Sequence, residues 1–205
     1  MMTRVRNGLV FLVVLAGLRS PLALADTQQV AVSVKADVNV ERAWEILSDF
    51  SVAHNYVPGL SKTEIVSAQR SGIGAHRRVY DEDGGFVEET IIEWQPGVGF
   101  VIKLHDGEDP MAPFERAEFS YRLSPLETDK TLIRLMMTVE VPLGVVGATL
   151  SEWFVLPVVE DNLVQVAAGM KHYYETGQAA TDEDRERLAG TVTVIPADTG
   201  QESLE

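Results

Sequence analysis

One apolar stripe constrains this chain more than any other feature. Leu156, Val159, Leu163, Val166, Met170 and Tyr173 recur at steps of three and four, which lines them along one face of an α-helix. Leu150, Trp153 and Val155 carry the apolar character upstream. The spacing predicts a helix from about Ala148 to Glu175, interrupted at Pro157, whose ring collides with the carbonyl of Trp153 and which has no N–H to donate. The expectation is a kinked helix or two abutting helices. The second would open at Pro157, with Glu160 and Asp161 where the helix dipole favours negative charge and Gly177 just past its end. Burying six such side chains contributes on the order of 10 kcal/mol. A helix so apolar on one side needs a broad apolar surface to lie on.

The middle of the chain offers that surface. From Lys62 to Val141, strand-like segments alternate with turn signals. Thr63 to Ala68 runs into Ser71-Gly72. Ala75 to Tyr80 runs into Asp81-Glu82-Asp83-Gly84-Gly85, a hairpin turn. Phe86 to Gln95 ends at Pro96-Gly97, and Gly99 to His105 ends in a longer loop. Phe114 to Leu123 and Thr131 to Val141 complete an antiparallel meander. In the last two, Ala117, Phe119, Tyr121 and Leu123, then Ile133, Leu135, Met137, Val139 and Val141, occupy one parity. Glu118, Arg122, Arg134, Thr138 and Glu140 occupy the other. One sheet face is therefore apolar and the other wet. Upstream, Val30, Val32, Val34 and Ala36 alternate with polar or small residues as a first strand. Asn39 is placed to cap a helix that gathers Val40, Ala43, Trp44, Leu47 and Phe50 on one face. A second short turn, capped by Ser51, ends at Val57-Pro58-Gly59. The fold class is α+β, with a curved antiparallel sheet of about seven strands wrapped around a long C-terminal helix and two short helices after the first strand.

The ends read differently. Arg4 and Arg6 precede the uncharged run Gly8 to Leu18, and Ala23-Leu24-Ala25 has the small-residue pattern of a cleavage site. This predicts a signal peptide over residues 1–25, since a membrane span needs about 20 apolar residues. The expected location is exported, periplasmic or extracellular, with no stable membrane span after cleavage. Residues 1–25 hold three arginines and no acid, so their removal takes the formal charge from −14 to −17. Such a charge disfavours nucleic acid and anionic lipid surfaces. The chain has no cysteine, so neither disulfides nor thiolate chemistry enter, and a core must hold the fold. Residues 26–177 form the expected domain. Residues 178–205 are an acidic tail expected to lack fixed structure, with a lesser possibility that Val192 to Ile195 adds to a sheet edge.

The order strand, two short helices, strands and long helix combines with Ala43-Trp44-Glu45-Ile46-Leu47-Ser48-Asp49-Phe50 and Tyr56-Val57-Pro58-Gly59-Leu60. Together these resemble the START-like, or SRPBCC, superfamily, labelled polyketide cyclase/dehydrase and lipid transport. Coenzyme Q-binding proteins and the birch-pollen allergen are among its members. The resemblance covers about residues 28–176 and implies a helix-grip fold with a cavity between sheet and helix.

No HExxH, GxSxG, phosphate-binding glycine loop or dinucleotide fingerprint is present, and no two of His54, His76, His105 and His172 have metal-ligand spacing. No cofactor or metal is called for. The preferred function is binding or transport of a hydrophobic small molecule, such as a lipid, quinone or polyketide-like compound. Candidate lining residues are Tyr56, Phe119, Tyr121, Ile133, Leu135, Met137, Leu163, Val166 and Met170. His76, Arg78 and Tyr80 share one side of their strand, and Glu88, Thr90 and Trp94 one side of the next. Facing inward, His76, Arg78 and Glu88 would give a polar pocket group able to bind a head group or move protons. Facing outward, His76 and Arg78 would pair with Glu88 across the hairpin, the commoner arrangement. A cyclase- or aromatase-type enzyme and a ligand-free interaction module remain the alternatives, with oligomeric state open.

Overall fold

The computed structural model describes residues 26–141 and 156–196. The predicted signal peptide, the upstream part of the long helix from Ala148 to Val155 and the last residues of the tail lie outside this range. The first strand, β1 (Asp26–Ala36), leads into α1 (Val40–Ser48) and a 3-10 turn, Ala53–Asn55. Then come β2 (Leu60–Ile65), β3 (His76–Asp81), β4 (Phe86–Gln95), β5 (Gly99–Asp106), the two-residue β6 (Asp109–Pro110), β7 (Arg116–Glu127) and β8 (Lys130–Val141). The helix α2 (Leu156–Thr176) comes next, then α3 (Asp182–Ala189) and β9 (Thr193–Ile195).

All nine strands belong to one sheet of order β2-β3-β4-β5-β7-β8-β1-β9, with β6 pairing β5 off that path. The first strand returns to pair antiparallel with β8, with Val32 opposite Leu135. Two strands exceed the expected seven. The short β6 comes from the loop after β5 folding back on it, and β9 comes from the tail. Asn39 caps α1 as its side chain implies: Oδ1 accepts from the Arg42 N–H at 2.8 Å. The β3–β4 turn is held by Asp81, whose Oδ1 accepts from the Asp83 and Gly85 N–H groups. Pro157 falls in the first turn of α2, where the missing N–H costs nothing.

The interior lies between the concave sheet face, α1 and α2. Val32, Val34, Leu47, Phe50, Ile102, Ile133, Leu135, Leu163 and Met170 are all essentially inaccessible to solvent. Trp94 stacks on Phe100 at 5.5 Å and meets Trp44 of α1 at 4.9 Å. Its inward position departs from the expectation that grouped it with Glu88 and Thr90. The register shifts between Ile91 and Glu93, and one extra residue in a bulge exchanges the two faces of everything beyond it.

The chain past Gly177 also differs from the expectation of a tail without fixed structure. Thr181 and Asp184 form a reciprocal capping box that starts α3. Arg185 is buried, donating to the Ala180 carbonyl and the Asp182 carboxylate. The Ala180 N–H donates to the Asn55 carbonyl at 2.8 Å. Thr193 to Ile195 then pair with Ala31 to Ser33 and cover part of the β1 edge.

Candidate functional site

Arg77 is the least expected interior residue, at 1% exposed. It shares strand parity with Ala75 and Val79, both buried, and the pleat carries it inward with them. A guanidinium taken out of water needs its donors satisfied. Directly across the β3–β4 ladder stands Glu89, also buried. Arg77 Nε and Nη2 each approach Glu89 Oε2 at 2.5 Å. Nη1 donates to the Phe50 carbonyl at 2.8 Å, and the guanidinium carbon lies 3.9 Å from the centre of the Phe50 ring. Burial alone would depress the Arg77 pKa. The Glu89 carboxylate and the neighbouring phenols outweigh it and raise the pKa, so the group stays charged.

Two tyrosines, Tyr56 and Tyr121, stand near this pair, and a third, Tyr174, stands near those two phenols. Tyr56 ends the 3-10 turn, Tyr121 comes from β7 and Tyr174 from the last turn of α2. Each is nearly inaccessible. Tyr56 lies near both Arg77 and Tyr121. Burial raises the pKa of all three phenols, those of Tyr121 and Tyr174 well above the usual tyrosine range. They are therefore O–H donors at neutral pH, not phenolates. The Tyr174 hydroxyl oxygen is buried and has no hydrogen-bond partner in the structure. Leaving such a group unpaired costs about 1–3 kcal/mol. Gly169 explains how α2 comes so close. A Cβ there would sit 2.2 Å from the Tyr56 carbonyl oxygen, so only glycine lets the helix rest on that turn.

The cluster thus pairs one cation with one anion and adds phenol donors, one of them unengaged, inside an apolar shell. Chemically it can hold an uncharged oxygen of an otherwise apolar molecule. It offers no phenolate base at neutral pH and no unpaired cation. Among the described residues no three His, Cys, Asp or Glu side chains gather closely enough to hold a metal ion, and no described helix is long and apolar enough to cross a membrane.

All nine apolar and aromatic candidates read from the sequence share this interior: Tyr56, Phe119, Tyr121, Ile133, Leu135, Met137, Leu163, Val166 and Met170 belong to one buried cluster. The polar group of His76, Arg78 and Glu88 does not. These three lie on the opposite face of the sheet, which corrects the inward placement. Arg78 faces Glu88 in register and donates to it at 2.9 Å. Glu88 is nonetheless buried, because the loop after β5 folds over it and the Gly107 N–H donates to its Oε2 at 2.9 Å. Hydrogen bonding from Arg78 holds its carboxyl below the usual range. His105 packs beside it, 2.8 Å from both Thr90 Oγ1 and the Gly107 carbonyl oxygen. His54 is tied through backbone and ring to Thr63 Oγ1, each at 3.1 Å. His172 is covered by α3, its Nδ1 3.5 Å from Asp184. Arg77, Glu89 and Tyr174 were not among the sequence candidates. The available signal was parity: Ala75-x-Arg77-x-Val79 and Val87-x-Glu89-x-Ile91 each put a charge between apolar residues on one strand face.

A family model described as polyketide cyclase / dehydrase and lipid transport matches residues 27–171. No curated protein sequence matches the chain. Among solved structures, the chain is similar to the Zhui aromatase/cyclase from Streptomyces sp. R1128, at 17% identity and a TM-score of 0.55 over 76% of this chain and 100% of that one. It is also similar to norcoclaurine synthase from Thalictrum flavum, at 14% identity and a TM-score of 0.57 over 73% and 93% of the respective chains. A START superfamily protein from Mycobacterium smegmatis aligns at 20% identity and a TM-score of 0.53, over 70% and 97%. At these identities the likeness shows a common fold.

Proposed function

The chain belongs to the polyketide cyclase / dehydrase and lipid transport family, and from that premise we propose that it binds a mostly apolar small molecule, a lipid, quinone or polyketide-like compound, between the sheet and α2. The observation that carries this reading is the buried, unpartnered Tyr174 hydroxyl near the Tyr56 and Tyr121 phenols. A buried donor without a partner favours a guest oxygen that supplies one. Because Arg77 is already matched by Glu89, a free carboxylate on the guest would arrive without a spare cation and lose its hydration. The guest's polar end is therefore an uncharged carbonyl, hydroxyl or phenol. Met137 and Met170, soft and adaptable, suit a guest of variable shape.

The test is native mass spectrometry and fluorescence titration of the purified protein against neutral lipids, quinones and aromatic polyketides. One guest per chain is expected. Tyr174→Phe should weaken binding about tenfold, the worth of one hydrogen bond, without lowering thermal stability. A protein that takes no member of the panel, or binds equally well after Tyr174→Phe, overturns the reading. The second reading is a cyclase- or aromatase-type enzyme, favoured by the convergence of three phenols and an ion pair on one place. Its mark is a bound compound leaving with altered mass. We read the protein as exported, on the pattern of residues 1–25; periplasmic or extracellular recovery of a chain starting at Asp26 tests that.

A further inference from the structure

The chain extends past the region matched by the family, and the extension meets the domain at the open edge of β1. There β9 pairs only as far as Ser33. Beyond that point Lys171 of α2 reaches across, its Nζ donating to the Lys35 carbonyl at 2.9 Å. The gap left between them is a pocket of about 370 Å³, lined by Ser33, Lys35, Leu132, Lys171, Thr191 and Thr193 among others. The whole chain carries 31 acidic against 17 basic residues, yet this lining holds two lysines and no carboxylate.

The available donors can be counted. Lys171 Nζ has three N–H groups. One goes to the Lys35 carbonyl and one to Glu175 Oε1 at 2.6 Å, which leaves a third. Glu175 is thus bonded to the lining, and the same oxygen also accepts from the Asp37 N–H at 2.8 Å. Lys35 has no acidic partner among the described residues, and neither has Arg134, which stands opposite Ser33 in the β1–β8 register. Thr191 spends its proton on the Leu188 carbonyl, while Ser33 and Thr193 stand opposite each other in the β1–β9 register. The result is a concave surface with ammonium and hydroxyl donors and an unpaired charge.

We propose that this pocket is a binding site for a phosphate-bearing ligand, independent of the interior site. Lys35 supplies the unpaired charge, Lys171 its remaining N–H, and Ser33 and Thr193 the hydroxyl donors. Charge-assisted hydrogen bonds to oxyanions are the strong ones, and a pocket of this volume takes a phosphate together with part of the group that carries it. The extension completes the site, because Thr191 and Thr193 come from it.

The experiment is amide NMR of the full chain titrated with inorganic phosphate, with glycerol phosphate, and with phosphatidylglycerol or phosphatidylcholine vesicles, each against chloride at matched ionic strength. Phosphate should shift the amides of Ser33, Lys35, Thr191 and Thr193 in a saturable way. Lys35→Gln, a substitution at an exposed position, should weaken this by about tenfold. Lys171→Gln should do so as well, and neither should change binding of an apolar guest. A stronger response to glycerol phosphate supports a soluble phosphomonoester. A response to phosphatidylglycerol that Lys35→Gln removes supports a lipid head group. A response that chloride reproduces, no response to any probe, or full affinity retained in Lys35→Gln overturns the proposal.

Discussion

A buried ion pair is costly to break and cheap to replace, and that asymmetry makes Arg77 and Glu89 testable. Arg77→Met leaves the Glu89 carboxylate buried without its cation and should cost about 3–5 kcal/mol in urea unfolding. The double change Arg77→Met with Glu89→Leu should recover most of that loss, since apolar replacements of both partners fit an apolar shell. If the double variant is as unstable as the single one, the bond from Arg77 to the Phe50 carbonyl, rather than the pairing with Glu89, carries the stability. His76, on the outer face, gives a second residue-level prediction. Burial depresses its pKa, opposed by the Glu88 carboxylate and assisted by His105 and Arg78. A histidine kept neutral in the folded state stabilises above its unfolded pKa, near 6.5. That contribution is lost as the pH falls from there through the depressed folded value. His76→Gln should therefore flatten the stability profile on the acid side of neutrality, as read by melting temperature against pH. The two faces of β3 also show what the sequence conveyed and what it hid. Clear apolar alternation in β7 and β8 fixed their orientation. In β3 and β4 both parities carry charge, so only the flanking Ala75, Val79, Val87 and Ile91 could say which charges go inside.

Elements were easier to read than faces, because periodicity survives where facing does not. The stripe of α2 predicted a helix on the sheet, and Asn39 and the acidic hairpin marked their capping and turning points. Two features escaped. The bulge near Ile92 carries no composition signal, and it turned Trp94 inward. Gly169 reads as a weak point in a helix until its neighbour is known. Gly169→Ala would drive a methyl group against the Tyr56 carbonyl and push α2 away from the 3-10 turn. Overpacking of that kind costs about 1–3 kcal/mol, and here it also moves Tyr174 relative to Tyr56. The expected readout is a lower urea midpoint together with weaker guest binding, whereas an unchanged midpoint would mean that α2 does not press on the turn. At α3, hydrogen bonds from Thr181 and Arg187 hold the Asp184 carboxyl down at about 2. Its contribution is present above the ordinary value of 3.8 and fades as the pH falls toward 2. Hydrogen exchange should show α3 loosening across that acid interval, and Asp184→Asn should bring the same loosening to neutral pH.

At the scale of the molecule, the structure is a family domain with an added edge. Every residue of the interior cluster but Val192 precedes Gly177, so the core does not depend on the extension. The extension instead settles an exposure problem. Without β9 the edge of β1 would present unpaired N–H and C=O groups over Ala31 to Ser33, and open edges pair with other chains. Its acidic, polar composition concealed this role. Composition reports how much surface a segment can bury on its own, whereas three ladder pairs, a capping box and a buried Arg185 come from what the segment meets. A chain ending at Gly177 should therefore still fold and still bind an apolar guest, but associate through the bared edge. Size-exclusion chromatography across a concentration series should show the shortened protein moving from monomer toward dimer while the full chain stays put. The shortened protein should also lose the phosphate-dependent shifts at Ser33 and Lys35. If it instead runs as a monomer at every concentration with an unaltered melting temperature, then β9 neither guards the edge nor adds to the fold.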